Sequence, residues 1–286
     1  MSRILIVLIA ALAAIAADAD TIVTTPAKSQ PESITAAPDG SLILGSFTSP
    51  KIYRARPGET EARQFIDTSG DGNTGFLGVL VDMADNMLWA CQFTTIDGSK
   101  MRRSTLRGFD LASGASKFHW ALPGENNLCN DFSVGPDRAL YVTDTNGGRI
   151  FRVKRGSPEG ELLLQDHLLD GVDGITFLDG DLYVNNVNTN AIYRIPLDKA
   201  GKAGAPQPIN LDVPVNGPDG MRAAGGKIYL AENRGGKADM LVIEGDHAHV
   251  TQLLDGLRQP TAIEPAGNIL WVGDRGADKA VAIPLP

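Results

Sequence analysis

Apolar and polar positions along this chain recur as one block: an apolar pair, a turn signal, then a short apolar strand. Six copies read PESITAAPDGSLILGS from Pro31, LGVLVDMADNMLWAC from Leu77, CNDFSVGPDRALYVTDT from Cys129, VDGITFLDGDLYVNN from Val172, PDGMRAAGGKIYLAEN from Pro218 and QPTAIEPAGNILWVGD from Gln259. Aligned on the second strand, their anchors are Leu42, Leu88, Leu140, Leu182, Ile228 and Leu270, roughly 40 to 50 residues apart. Between the strands stand residues that tolerate positive φ, among them Pro38-Asp39-Gly40, Asp179-Gly180 and Gly225-Gly226. A third strand follows each pair (KIYRARPG, LRGFDLASG, RIFRVKRG, AIYRIPLD, ADMLVIEG, AVAIPLP), with the alternation of a half-buried strand at Ile150–Val153 and Ile192–Ile195. A fourth strand follows in most copies, as in GELLLQDH from Gly160. No helix of convincing length is predicted. Short strands at this period predict an all-β fold, a six-bladed β-propeller, with blades at approximately 31–70, 71–125, 126–169, 170–215, 216–257 and 258–286. The segment from Asp20 to Pro31 is expected to complete the last blade and close the ring.

The alignment brings chemistry into line. The second residue of each copy is Glu32, Gly78, Asn130, Asp173, Asp219 and Pro260. The innermost strands of a propeller face one another round a channel, so Glu32, Asn130, Asp173 and Asp219 would form a polar ring at its mouth. Three are acidic, and crowded carboxylates raise one another's pKa unless a cation or proton intervenes. An oxygen-only ring of this kind suits a hard cation such as Ca²⁺. Singly, Asp173-Gly174 and Asp219-Gly220 read equally well as turn dipeptides; their common position argues for function.

The chain has 286 residues and a formal net charge of −8, enough for one large all-β domain, placed at 20–286. No basic run occurs, which argues against nucleic acid as a partner. Residues 1–19 read as a secretory signal peptide: Arg3 precedes the apolar stretch Ile4–Ala17, and Ala14-Ile15-Ala16 and Ala17-Asp18-Ala19 offer small-x-small cleavage sites. The expected location is periplasmic or secreted, with no membrane contact after cleavage. Nothing in the pattern calls for assembly, so a monomer is expected. Cys91 and Cys129, the only two cysteines, read either as a disulfide closed in an oxidising compartment or as two small buried side chains. His247 and His249 fall on an outer strand beside Asp246 and read as solvated surface. A G-x-S-x-G elbow, a P-loop and a dinucleotide fingerprint are all lacking.

The phrases PES at Pro31, CND at Cys129, VDG at Val172 and GPDGM at Gly217 resemble the inner-strand motifs of the senescence-marker-protein/gluconolactonase (regucalcin-like) family of six-bladed propellers. The resemblance implies one divalent cation, Ca²⁺ first and Mn²⁺, Mg²⁺ or Zn²⁺ otherwise, held by Glu32, Asp173 and Asp219, with Asn130 contacting substrate. It implies hydrolysis of a lactone, the cation polarising the carbonyl and Asp219 acting as base. Two positions depart from the family pattern. Asp173 stands where Asn is usual, and Leu128 where some members carry an Arg that contacts substrate. Loops at Phe93–Lys100 and Asn186–Asn190 would shape the pocket, with Thr94, Thr95 and Asn188 as candidate contacts. The expected function is therefore an exported lactonase of the sugar-lactone type. Two rivals stand beside it: a non-catalytic, metal-stapled propeller that binds a small ligand or partner protein, and a lyase or epimerase on a small polar molecule.

Overall fold

The computed structural model describes residues 21–96 and 100–286; the signal-peptide expectation for residues 1–19 lies outside them. Every one of the six sequence blocks becomes one small, mainly antiparallel sheet, and the sheets form a six-bladed β-propeller. Innermost strands are Pro31–Ala36, Gly75–Asp82, Cys129–Val134, Val172–Leu178, Pro218–Ala224 and Pro260–Ala266. They neighbour one another in cyclic order, the last beside the first. The fifth sheet has an extra strand, Asn210–Leu211, which runs parallel to His247–Leu254. Helical structure among the described residues is confined to short 3-10 turns at Ser69–Asp71, His167–Leu169 and Arg275–Ala277.

Ring closure follows the expectation. Ile22–Thr24 pairs with Lys279–Pro284 and completes the last sheet from the other end of the chain. Thr24 also holds the first blade, donating to the Thr60 carbonyl at 2.9 Å and accepting from the Ala62 amide at 2.8 Å. The seam between first and last blades is thus hydrogen-bonded on both sides of Thr24.

The core sits between blades, because each sheet buries both of its faces against its neighbours. Tyr141 and Ile150 of the third blade pack with Ile175, Leu182 and Val184 of the fourth. Leu178, Tyr183 and Ile192 of the fourth pack with Met221, Ile228 and Leu241 of the fifth. Alternating apolar residues in a strand therefore serve two different interfaces.

One disulfide crosses such an interface. Cys91 in the second strand of blade two is bonded to Cys129 at the start of blade three, with Cα atoms 5.3 Å apart, within the range that a disulfide spans.

The inner strands are not regular. Each carries a β-bulge near its start, which re-aims a side chain without ending the strand. Every bulge adds one residue; in blades one and six it stands alone, Glu32 between the pairs Pro31↔Ser46 and Ser33↔Gly45, and Thr261 between Pro260↔Asp274 and Ala262↔Gly273. In the other four, two inner-strand residues face one on the second strand. There the intervals lie between Phe76 and Val79, Cys129 and Phe132, Val172 and Ile175, and Pro218 and Met221. This corrects the alignment at two positions. The residue equivalent to Asn130, Asp173 and Asp219 is Leu77 in blade two, not Gly78, and Thr261 in blade six, not Pro260.

Candidate functional site

The bulges turn Glu32, Asn130, Asp173 and Asp219 to the propeller axis. All four line one narrow cavity together with Ser33, Asp131, Arg222 and Thr261; it has room for little more than one water-sized particle. All four are buried, at 6–8 % exposure. The four polar residues predicted from the repeat thus come from blades one, three, four and five to one place.

Glycine explains how the strands get so close. A Cβ on Gly174 would lie 2.3 Å from the Asp219 carbonyl oxygen, and one on Gly220 2.6 Å from that of Thr261. The Asp-Gly pairs are therefore not turns. The Asp presents a carboxylate, and the Gly lets the next blade's backbone pass.

Hydrogen bonds fix the side chains. Asn130 Nδ2 donates to Asp173 Oδ2 at 2.8 Å and to Thr145 Oγ1 at 2.9 Å. Both amide hydrogens are used, and its carbonyl oxygen accepts nothing from the described residues. Asn233 Nδ2 donates to Asp219 Oδ2 at 2.8 Å, and Asn233 in turn accepts from Gln259 Nε2 at 3.2 Å. Arg275, from the loop after the second strand of blade six, donates to Glu32 Oε2 at 2.5 Å and stacks over the Phe47 ring.

The charge balance is unusual. Burial raises the Asp173 carboxyl well above the ordinary carboxylate range, and the charges of Asp219, Glu32 and Asp131 push it further. Asp219 is raised likewise, by burial first and then by Glu32. Glu32 is raised by burial against the opposing pull of Arg275. The donor set is oxygen only, as a hard cation requires, and its repulsion is the kind a cation relieves. Against this, Glu32 already has a cationic partner. Among the described residues, no three His, Cys, Asp or Glu side chains are gathered into a formed metal-binding group. The chemistry of the set fits a cation; holding one at Glu32 requires Arg275 to give way.

Beneath the ring lies a network that sequence reading did not find. Arg222 of blade five donates to both oxygens of Asp131 of blade three, at 2.7 and 3.0 Å. Its Nε lies 3.6 Å from Glu264 of blade six. Glu264 accepts from the Ala36 amide of blade one at 2.9 Å. Four blades are tied across the axis by one buried cation and two carboxylates. Asp131 follows Asn130 directly in the CND motif and Arg222 comes three residues after Asp219 in PDGMR, but nothing in the spacing pairs them.

A second missed feature did leave a signal. The fourth residue after each anchor is polar: Ser46, Gln92, Asp144, Asn186, Glu232 and Asp274. Five of them hold backbone or side chains of the loop entering or leaving the blade. Asp144 accepts from the Leu128 amide at 2.7 Å, Glu232 from Asn216 at 2.7 Å, and Asp274 from Gln259 at 2.9 Å. Asn186 accepts from Asn188 at 2.9 Å, and the Ser46 hydroxyl donates to the Ser29 carbonyl at 2.5 Å. These loops carry Asn130, Asp219 and their neighbours into place.

The remaining candidates fall elsewhere. Thr94 and Thr95 belong to the strand Met87–Thr95 rather than to a loop, and neither they nor Asn188 line the cavity. Residues 97–99 of the Phe93–Lys100 segment are outside the described residues. Leu128 is buried in the interface between blades two and three. His247 and His249 are exposed, beside Asp246 and Asp212, as surface residues are.

No protein-family model matches the sequence, and no curated protein matches it. Solved structures do match in fold. A gluconolactonase from Xanthomonas campestris is 15 % identical, with a TM-score of 0.66 over 94 % of this chain and 87 % of that one. The PQQ-bound aldose sugar dehydrogenase from Streptomyces coelicolor is 18 % identical, with a TM-score of 0.64 over 95 % and 96 %. Virginiamycin B lyase from Staphylococcus aureus is 14 % identical, with a TM-score of 0.65 over 93 % and 98 %. Likeness at this identity establishes the propeller; a hydrolase, an oxidoreductase and a lyase share it, so chemistry must be argued from the site.

Proposed function

We propose that the chain is an exported lactonase-type carboxylic ester hydrolase of the senescence-marker-protein/gluconolactonase kind. Its substrate is a small, sugar-derived lactone, opened at a divalent cation, Ca²⁺ by preference. The observation that carries this reading is the convergence of three buried, mutually repelling carboxylates and Asn130 on one axial cavity. Glu32, Asp173 and Asp219 are the residues to hold the cation. When bound, such an ion supplies Lewis acidity to the lactone carbonyl and to the oxyanion that develops on attack.

The chain's own residues supply the rest. Asp219 takes the proton from the attacking water. The Asn233 amide holds one Asp219 oxygen and leaves the other for that proton. Asn130, with both amide hydrogens engaged, offers its carbonyl oxygen to a substrate hydroxyl. The Asp131–Arg222 pair closes the floor of the cavity, which limits water below the reacting centre.

The test is turnover of aldonolactones, aliphatic lactones and aryl esters by the mature protein with Ca²⁺, Mn²⁺, Mg²⁺, Zn²⁺ or excess chelator. Lactone opening that is lost with chelator, returns with one metal and is abolished in Asp219→Asn supports the reading. Full activity in chelator, or in Asp219→Asn, overturns the roles assigned. The ion pair between Glu32 and Arg275 favours a second reading, a propeller that binds a small ligand at its axis without turnover. That reading stands if no lactone is opened while a ligand or cation still raises the melting temperature.

A further inference from the structure

A second concave site lies between blades two and three, independent of the axial cavity. It is built from the turns that join first to second and third to fourth strands, so it opens at the end of the sheets away from Asn130. The groove encloses about 550 Å³, within the range of small-molecule sites. Its floor is apolar: Met87, Trp89 and Phe118 from blade two meet Val134, Leu140 and Val153 from blade three. Trp89 and Phe118 stand edge to face at 5.2 Å. Both are only half buried, so part of an aromatic pair faces the groove.

The rim is cationic on a chain of formal charge −8. Lys117, Arg138, Lys154 and Arg155 face Asp82 and Asp85. Arg155 is paired with Asp85, and Lys154 with Glu161 at 2.9 Å. An Asp82 oxygen accepts from the Ala84 amide at 3.1 Å. Lys117 and Arg138 are left, one on each bank, both exposed and neither within ion-pair distance of a described carboxylate.

We infer that this groove binds a small aromatic organic anion, its rings on Trp89 and Phe118 and its acid group between Lys117 and Arg138. Half-exposed aromatic faces gain from burial. The two unpaired cations select an anion over a neutral molecule of the same shape. Asp85 is neutralised by Arg155, and the one remaining carboxylate, Asp82, is outnumbered by Lys117 and Arg138.

The test is a fluorescence titration of the mature protein with anionic 8-anilinonaphthalene-1-sulfonate and with uncharged N-phenyl-1-naphthylamine. Lys117→Gln/Arg138→Gln changes two exposed side chains and keeps the fold. The expected result is saturable binding of the anion, weakened roughly three- to tenfold in the double variant, with the affinity for the uncharged probe unchanged. No saturable binding of the anion overturns the inference. So does equal anion affinity in the double variant, or an equal loss for both probes.

Discussion

The hydroxyl of Thr143 donates to the backbone carbonyl of Asp173 at 2.8 Å, across the boundary between blades three and four. The same position, three residues after the anchor, does this work twice more. Asn185 donates to the carbonyl of Asp219 at 2.5 Å, and Cys91 is bonded to Cys129 beside Asn130. Each polar ring residue after the first is thus fastened by the blade before it. The site is a property of the ring, not of single blades.

Thr143 also accepts from the Asp131 amide at 3.0 Å. Thr143→Val keeps the shape and leaves two buried backbone groups without partners, an expected cost of about 1–3 kcal/mol. Urea unfolding should show a lower midpoint at unchanged slope, and a smaller thermal shift on adding Ca²⁺.

Breaking the disulfide removes a constraint between residues 38 apart. The chain-entropy relation gives roughly 4 kcal/mol for a loop of this size. Cys91→Ser/Cys129→Ser is expected to melt well below the parent, and reductant should lower the parent's melting temperature but not the variant's.

Arg275 holds the Glu32 carboxylate that the proposed cation would need. Replacing it by Met removes both the ion pair and a positive charge from the cavity wall. Arg275→Met is expected to bind Ca²⁺ about tenfold more tightly, measured by calorimetric titration. Weaker binding would mean that Arg275 positions Glu32 rather than occupying it.

Asp239 and Glu232 form a buried acid pair on blade five. Burial, then a hydrogen bond and the charge of Glu232, push Asp239 up to about 8; Lys237 opposes this and Asp255 adds to it. The folded state therefore holds a proton that the unfolded chain releases near its ordinary value of 3.8. The pair's contribution to stability is fullest below that value, falls as pH rises, and levels off above about 8. Asp239→Asn keeps a donor toward Glu232 at every pH. Its melting temperature should gain on the parent's steadily from pH 4 to pH 8; a constant difference would rule the shared proton out.

The repeat alone determined the number of blades, the hairpins, the closing strand and the four polar ring residues. Each of these depends on hydrophobic period and turn chemistry, which are local and written along the chain. The polar residue four places after each anchor was equally legible and marks the loop fasteners. Tertiary structure decided the rest. The hairpin turn between first and second strands differs in length from blade to blade, so only the strand pairing fixes the ring position, which moved from Gly78 to Leu77 and from Pro260 to Thr261. The partners of Glu32, Asp131 and Glu264 lie 243, 91 and 228 residues away in sequence. Only closure of the ring brings those charges within reach, and at that separation no local pattern records the pairing.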